Sequence, residues 1–240
     1  MHWKHVSMLV ATLGLAVSAK AGFVNGGFET GNFTGWTVEL GNYGYTSTGV
    51  LQFGVSGQYV NGTAAVIGAS ADPYSPFDTP FNGNYMARLN TINEGNWGAA
   101  RISQTALMGA GETDVFVNWG AVLNDPGHPP SDQPFFDIKI FKNSVLIDSL
   151  HNIAGAGWIA SSGGYSYSSG TYHVAGLTLN DSVKIEMTVA DCGQGGHAGW
   201  AYLDGIGTVQ QPPGRAPDAG STVAMLTAAL LGLVAIRRKF

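Results

Sequence analysis

Between Val183 and Val189 the chain alternates apolar and polar residues without error: Val183-Lys184-Ile185-Glu186-Met187-Thr188-Val189. A period of two puts every apolar side chain on one face, so the segment reads as a half-buried strand. Phe136–Ile140 repeats the pattern, and Lys142-Asn143-Ser144-Val145 is turn-like before a second run, Val145–Leu150, which together predict a hairpin. Val115, Val117, Trp119 and Ala121 share one face of another strand, with Asp114, Phe116 and Asn118 on the other. Shorter β-compatible runs fall at 36–40, 63–67, 85–89, 101–105, 171–175 and 200–209. Clusters of Gly, Asn, Asp and Ser separate them, so the pattern is one of roughly nine to eleven short strands in an antiparallel β-sandwich.

Composition supports this and narrows the function classes. Gly and Pro occupy 45 of 240 positions, which argues against long helices, coiled coils and bundles. The hydrophobic fraction of 45% is too high for a disordered chain and sufficient for a sizeable core. The whole-chain charge of -5 conceals a division. Six of the eleven cations lie outside residues 22–211, which keep five cations against fifteen acids, a net charge of -10. Nothing here suits a polyphosphate, so nucleic-acid binding is excluded. A neutral glycan, or an anionic polymer bridged by divalent cations, is the partner that such a domain would tolerate.

The two ends differ chemically from the middle. Lys4, flanked by His2 and His5, precedes an apolar stretch from Val6 to Val17 and the small-residue site Ala19-Lys20-Ala21, so residues 1–21 read as a secretory signal peptide. At the other end, a Pro-rich linker over 210–218 leads into an apolar run from Val223 to Ile236 that ends in Arg237-Arg238-Lys239-Phe240. At ~1.5 Å per residue this single hydrophobic helix spans roughly 21 Å, short of a ~30 Å hydrocarbon core unless 219–222 are added. The basic end would stay on the cytoplasmic side.

Pro217-Asp218-Ala219-Gly220-Ser221-Thr222, then one short hydrophobic helix, then a basic end, resembles a PEP-CTERM-type sorting signal. The variant it is most similar to begins Val-Pro-Asp, and this chain departs from it at Ala216 and Ala219. The resemblance covers about the last 25 residues and assigns the sorting motif to Pro217, Asp218, Gly220, Ser221 and Thr222 with Arg237 and Arg238. It implies processing by an exosortase-type membrane protease and transient inner-membrane anchoring through the C-terminal helix. Delivery would be to the cell surface or exopolysaccharide matrix of a Gram-negative-type bacterium. An ordinary C-terminal anchor is the plainer alternative.

A second resemblance spans the middle. The opening Phe23-Val24-Asn25-Gly26-Gly27-Phe28-Glu29-Thr30-Gly31-Asn32-Phe33-Thr34-Gly35-Trp36 is similar to that of carbohydrate-binding modules with the galactose-binding-domain-like jelly-roll fold. Trp200-Ala201-Tyr202-Leu203-Asp204-Gly205-Ile206 resembles their last strand. Between them, Gly83–Leu89 and Ala100–Thr105 keep the order of a glycine turn, a core strand and a Ser-Gln-Thr strand. The resemblance implies an all-β, antiparallel jelly-roll β-sandwich over 22–209 that binds polysaccharide, with a structural calcium held by Glu29, Asp204 and nearby carbonyls. Read from the residues, Asn25-Gly26-Gly27 permits a tight turn with positive backbone angles, setting Phe28 into the core and Glu29 beside it. Two carboxylates at close range repel unless a cation or proton intervenes, and calcium, with about six to eight oxygen ligands, would relieve that. Each carboxylate serving its own turn is the alternative.

Aromatic rings are the main binding signal. Tyr43, Trp97, Trp158, Tyr165 and Tyr167 sit among small residues, Tyr165 and Tyr167 in a Gly-Ser loop, where exposed rings can stack on sugars. Tyr45 belongs to the same set, whereas Trp36, Trp119 and Trp200 lie on strand-like runs and read as core. Cys192 and His197 flank a glycine loop and invite a metal or nucleophile reading, but zinc needs about four ligands. A hairpin with a packed Cys and a hydrogen-bonded His is the simpler account. The polar loop 124–134 offers Asp125, His128 and Asp132, or serves as a plain surface connection. The sequence contains no G-x-S-x-G, H-E-x-x-H or phosphate-cradling glycine motif, so the expected role is non-catalytic, with a structural matrix protein or a divergent polysaccharide-degrading enzyme as alternatives.

Overall fold

The structure is a computed structural model and describes residues 22–44, 50–54, 61–92 and 97–211. The signal-peptide segment, Tyr45, and the sorting signal with Pro217, Asp218, Gly220, Ser221, Thr222, Arg237 and Arg238 lie outside the described residues. Among the described residues no helix is long and apolar enough to cross a membrane.

Among the described residues twelve strands build two six-stranded antiparallel sheets. They are β1 (Thr37–Tyr43), β2 (Leu51–Phe53), β3 (Ala64–Ile67), β4 (Met86–Leu89), β5 (Gly98–Leu107), β6 (Asp114–Asn124), β7 (Phe135–Lys142), β8 (Val145–Ile153), β9 (Ile159–Ala160), β10 (Tyr165–Ala175), β11 (Ser182–Ala190) and β12 (Gly199–Gly207). The first sheet runs β2-β1-β5-β11-β7-β8 and the second β3-β4-β12-β6-β10-β9. The resulting jelly-roll sandwich buries Val183, Ile185, Met187 and Val189 of β11 completely, facing the inward Val117, Ala121 and Leu123 of β6. Each such aliphatic side chain contributes about 1.5–3 kcal/mol of burial.

The β7–β8 hairpin closes on Asn143 and Ser144, both in the left-handed region (φ +50 and +69), the geometry of a two-residue turn that matches strand twist. Two edge strands, β2 and β9, go beyond the sequence expectation, because three and two residues carry no periodic signal. A correction concerns Tyr165 and Tyr167. They belong not to a Gly-Ser loop but to β10, whose backbone pairs with β6 from Tyr165↔Asn124 to Ala175↔Asp114. At the opening turn the positive φ values fall on Asn25 (+53) and Phe28 (+55) rather than on the glycines. Gly26 is required by close approach instead: a Cβ there would lie 1.7 Å from the Ile206 carbonyl oxygen.

Candidate ligand-binding face and acidic seam

The first and last segments of the domain meet at a seam. The Ile206 amide donates to the Gly26 carbonyl (2.9 Å), and Asp204 on β12 is fully buried beside them. Asp204 accepts from the Asn82 and Gly205 amides, both at 2.6 Å. Glu29 accepts from the Asn84 and Tyr85 amides at 2.9 and 3.1 Å. A Cβ on Gly27 would stand 3.7 Å from both Asp204 Oδ1 and Glu29 Cγ, so one turn brings the two carboxylates together. Burial pushes the Asp204 carboxyl up to about 7, and the Glu29 charge adds to the rise against the backbone N–H donors that oppose it. A calcium ion fits this pair in charge and donor chemistry: two carboxylates offering hard oxygen donors, both hydrogen-bonded to N–H groups and neither paired with a cation among the described residues.

The five expected ring residues do not converge on one face. Tyr43 is buried, not exposed: its ring packs edge-on against Phe135 (5.1 Å) and its hydroxyl donates to the Ser131 carbonyl. Trp97, immediately before β5, packs against the β11–β12 connection, 2.9 Å from where a Cβ on Gly195 would stand. Trp158 is half-buried against the inter-sheet core. Tyr165 and Tyr167 point outward from the second sheet but are half-covered by residues 68–85, with Tyr165 4.2 Å from Tyr74 and Tyr167 5.8 Å from Phe77. Trp36, Trp119 and Trp200 are buried, Trp200 beneath this strap.

Asp72 fastens the strap. Its Oδ2 accepts from Trp200 Nε1 (2.7 Å) and the Tyr202 hydroxyl (2.6 Å), and its Oδ1 accepts from the Tyr74 amide (2.8 Å). Asp72→Ala is therefore expected to cost about 2–4 kcal/mol, because two largely buried donors lose their acceptor. The variant should also bind a hydrophobic dye through the uncovered Trp200 and Tyr202, and an unchanged melting curve with no dye uptake would refute this role.

Beyond the strap the register of β6 and β10 sets side chains in a ladder across the outer face of the second sheet. The pairs are Gly120↔Ser169, Asn118↔Thr171 and Phe116↔His173. Thr171 Oγ1 donates to Asn118 Oδ1 (2.7 Å), and the Phe116 and His173 rings stack at 4.4 Å, only 3° from parallel. Phe81 closes the strap end of the ladder, its ring 3.0 Å from where a Cβ on Gly120 would be, so only glycine admits it. Phe81, Asn118, Ser169 and Thr171 line a cleft of about 200 Å³. From Ser169 to His173 the strip extends about 14 Å, at ~3.4 Å per residue. Sequence reading missed it because the pairing is non-local, although the outward alternation of Phe116 and Asn118 was its visible half.

At one end of the sandwich the β6–β7 loop packs on the β11–β12 connection, which crosses from the first sheet to the second and so is not the hairpin expected from its glycines. The Gly193 amide donates to the Asp132 carbonyl and Gln194 Nε2 to Asp132 Oδ2, both at 2.9 Å. Gln133 Nε2 donates to Asp125 Oδ1 (3.2 Å), which keeps Asp125 within its own loop. Burial pushes the Cys192 thiol up and, with the neighbouring His128, the His197 imidazole down.

Fold and site thus define a two-sheet sandwich with a ring-and-hydroxyl ladder on one outer face. Residues 217–240 match the VPDSG-CTERM motif, which marks proteins sorted to the cell surface by an exosortase. No curated protein matches the chain. Solved structures similar to it include a cyclase from Fischerella sp. TAU (14% identity, 76% of this chain and 92% of that one, TM-score 0.42). Another is Caldicellulosiruptor saccharolyticus CBM27-1 in complex with mannohexaose (15%, 78% and 96%, TM-score 0.40). A third is the CBM22-1 xylan-binding domain from Paenibacillus barcinonensis (14%, 75% and 88%, TM-score 0.30). Similarity at this level transfers neither ligand nor activity to this chain.

Proposed function

We propose that this chain is an exosortase-sorted surface protein whose β6–β10 ladder binds a neutral polysaccharide without cleaving it. The binding half rests on one arrangement: a ring at each end of a strip, with amide and hydroxyl groups between. Phe81 and the Phe116–His173 stack suit the apolar faces of sugars, and Ser169 and Thr171 suit their hydroxyls, with the buried Asn118 amide fixing the Thr171 hydroxyl (2.7 Å). Among the described residues the cleft lining carries no carboxylate, and Asp114 at the far end of the strip is taken up by His173 Nε2 (2.7 Å), which favours binding over glycoside hydrolysis, where a pair is required. The acidic surplus of the domain disfavours an anionic chain. Export begins at the N-terminal signal, and transient inner-membrane retention precedes release to the surface or matrix of a Gram-negative-type envelope. Glu29 and Asp204 hold a structural calcium that keeps the seam, and with it the last strand, in place.

A glycan array probed with the purified protein in calcium tests the reading. Binding to neutral polysaccharides is expected, weakened at least about tenfold, or roughly 1.4 kcal/mol, in Phe81→Ala and in the near-isosteric Thr171→Val. Absence of binding, or equal binding by both variants, would discard the ladder as the site.

A further inference from the structure

The glycine loop that joins β11 to β12 folds so that one imidazole nitrogen turns back on one sulfur. The Cys192 amide donates to the His197 carbonyl (2.9 Å) and the Gly195 amide to the Cys192 carbonyl (3.1 Å), while Gly195 and Gly196 take left-handed angles of +78 and +91. Glycine accepts those angles at little cost. The result is a separation of 3.4 Å between Cys192 Sγ and His197 Nδ1. A second imidazole arrives from the β6–β7 loop, where Gln133 Nε2 donates to the His128 carbonyl (2.8 Å). The His128 ring stands edge-on to His197, with centroids 5.2 Å apart and planes at 86°. His128 Nδ1 is buried with no hydrogen-bond partner among the described residues. One donor atom from each of the three residues lies within 4.8 Å of the other two.

We propose that His128, Cys192 and His197 form a zinc site with three protein ligands and a fourth position left to water. The donor set is one thiolate and two imidazoles, which suits zinc rather than calcium or magnesium. With Zn–S of about 2.3 Å and Zn–N of about 2.0 Å, a tetrahedral ion sets sulfur and nitrogen about 3.5 Å apart, close to the observed separation. Drawing the three donors onto one ion would also employ the buried His128 nitrogen. The Sγ–H proton, now donated to the Gly195 carbonyl (3.0 Å), leaves to solvent as the thiolate binds the ion. The ion would tie together two loops separated by some sixty residues of chain, at the end of the sandwich where Tyr43 and Trp97 also pack. It is independent of the ladder and of the acidic seam.

Cobalt(II) titration of the purified protein under reductant tests the site. One equivalent is expected to bind with a thiolate-to-cobalt charge-transfer band and the strong visible absorption of tetrahedral cobalt, both erased by added zinc. His128→Ala and Cys192→Ser should each weaken binding by about tenfold or more, and His151→Ala, outside the cluster, should not. A free zinc concentration of roughly a hundred times the wild-type Kd should raise the melting temperature of the wild type by about 5–10 °C and that of His128→Ala by at most about half as much. His128 sits on a loop and its truncation should leave the chelated protein's melting temperature unchanged. His197→Ala supplies a second variant if Cys192→Ser fails to fold. Uptake without a thiolate band, equal uptake by wild type and His128→Ala, or no uptake would each overturn the proposal.

Discussion

Gly26→Ala is expected to cost about 3–4 kcal/mol and to lower the melting temperature by roughly 10 °C, whereas Gly27→Ala should be neutral or slightly stabilising. The two glycines are adjacent and neither has a positive φ, so backbone strain does not distinguish them. Space does. The Cβ of an alanine at 26 would stand 1.7 Å from the Ile206 carbonyl oxygen and 2.7 Å from its carbon, both backbone atoms that no rotamer change can move. Relief requires the opening turn to lift off β12, breaking the Ile206 amide to Gly26 carbonyl bond and carrying Glu29 away from Asp204. At 27 the nearest atoms lie 3.7 Å away, an ordinary contact, and alanine there also restricts the unfolded chain. Thermal melts of the two variants side by side decide the matter. Equal destabilisation would mean that flexibility of the turn, rather than close approach, is what the pair supplies.

That contrast illustrates what the sequence can and cannot convey. Asn25-Gly26-Gly27 announces a turn, yet the glycine requirement at 26 comes from a residue 180 positions away, and the positive angles went to Asn25 and Phe28. Strands with strict alternation, such as β11 and β7, were legible because period-two burial is written locally. The first half of β10 was not, since Ser and Gly carry little strand preference and its pairing with β6 supplies the rest. Tyr43 likewise read as an exposed ring because its covering partners, Phe135 and the Ser131 carbonyl, come from a distant segment. The acidic seam was legible through resemblance, whereas the ladder depends on a register that no single strand records. His128 stood out in sequence only as a candidate on the polar loop 124–134, and only the packing of that loop on the β11–β12 connection places it beside Cys192.

In chelating buffer the domain is expected to lose stability as the pH rises, the reverse of the usual behaviour of a paired carboxylate. Burial pushes the Asp204 carboxyl up to about 7 in the folded chain against an ordinary value of 3.8, so between those limits the folded state holds a proton that the unfolded state has released. Stability falls with pH wherever the folded state binds more protons, so the contribution is complete below the unfolded value and is lost through about pH 7. Some three pH units at 1.36 kcal/mol each give about 4 kcal/mol in total, of which about 2–3 kcal/mol falls between roughly pH 5 and pH 8. His197 works the other way. Burial, with the neighbouring His128, lowers its imidazole below the ordinary histidine value, so its contribution grows as the pH rises toward that value and is complete above it. Asp204→Asn separates the two: urea melts across this range should lose the downward slope in the variant and keep only the upward one. Calcium adds a second arm, because an ion on Glu29 and Asp204 holds both ionised. Saturating calcium should therefore flatten the wild-type curve, with its largest stabilisation at the alkaline end. A wild-type slope that persists unchanged in calcium would refute the calcium site while leaving the buried carboxyl intact. Matching slopes in wild type and Asp204→Asn would refute the carboxyl's role as well.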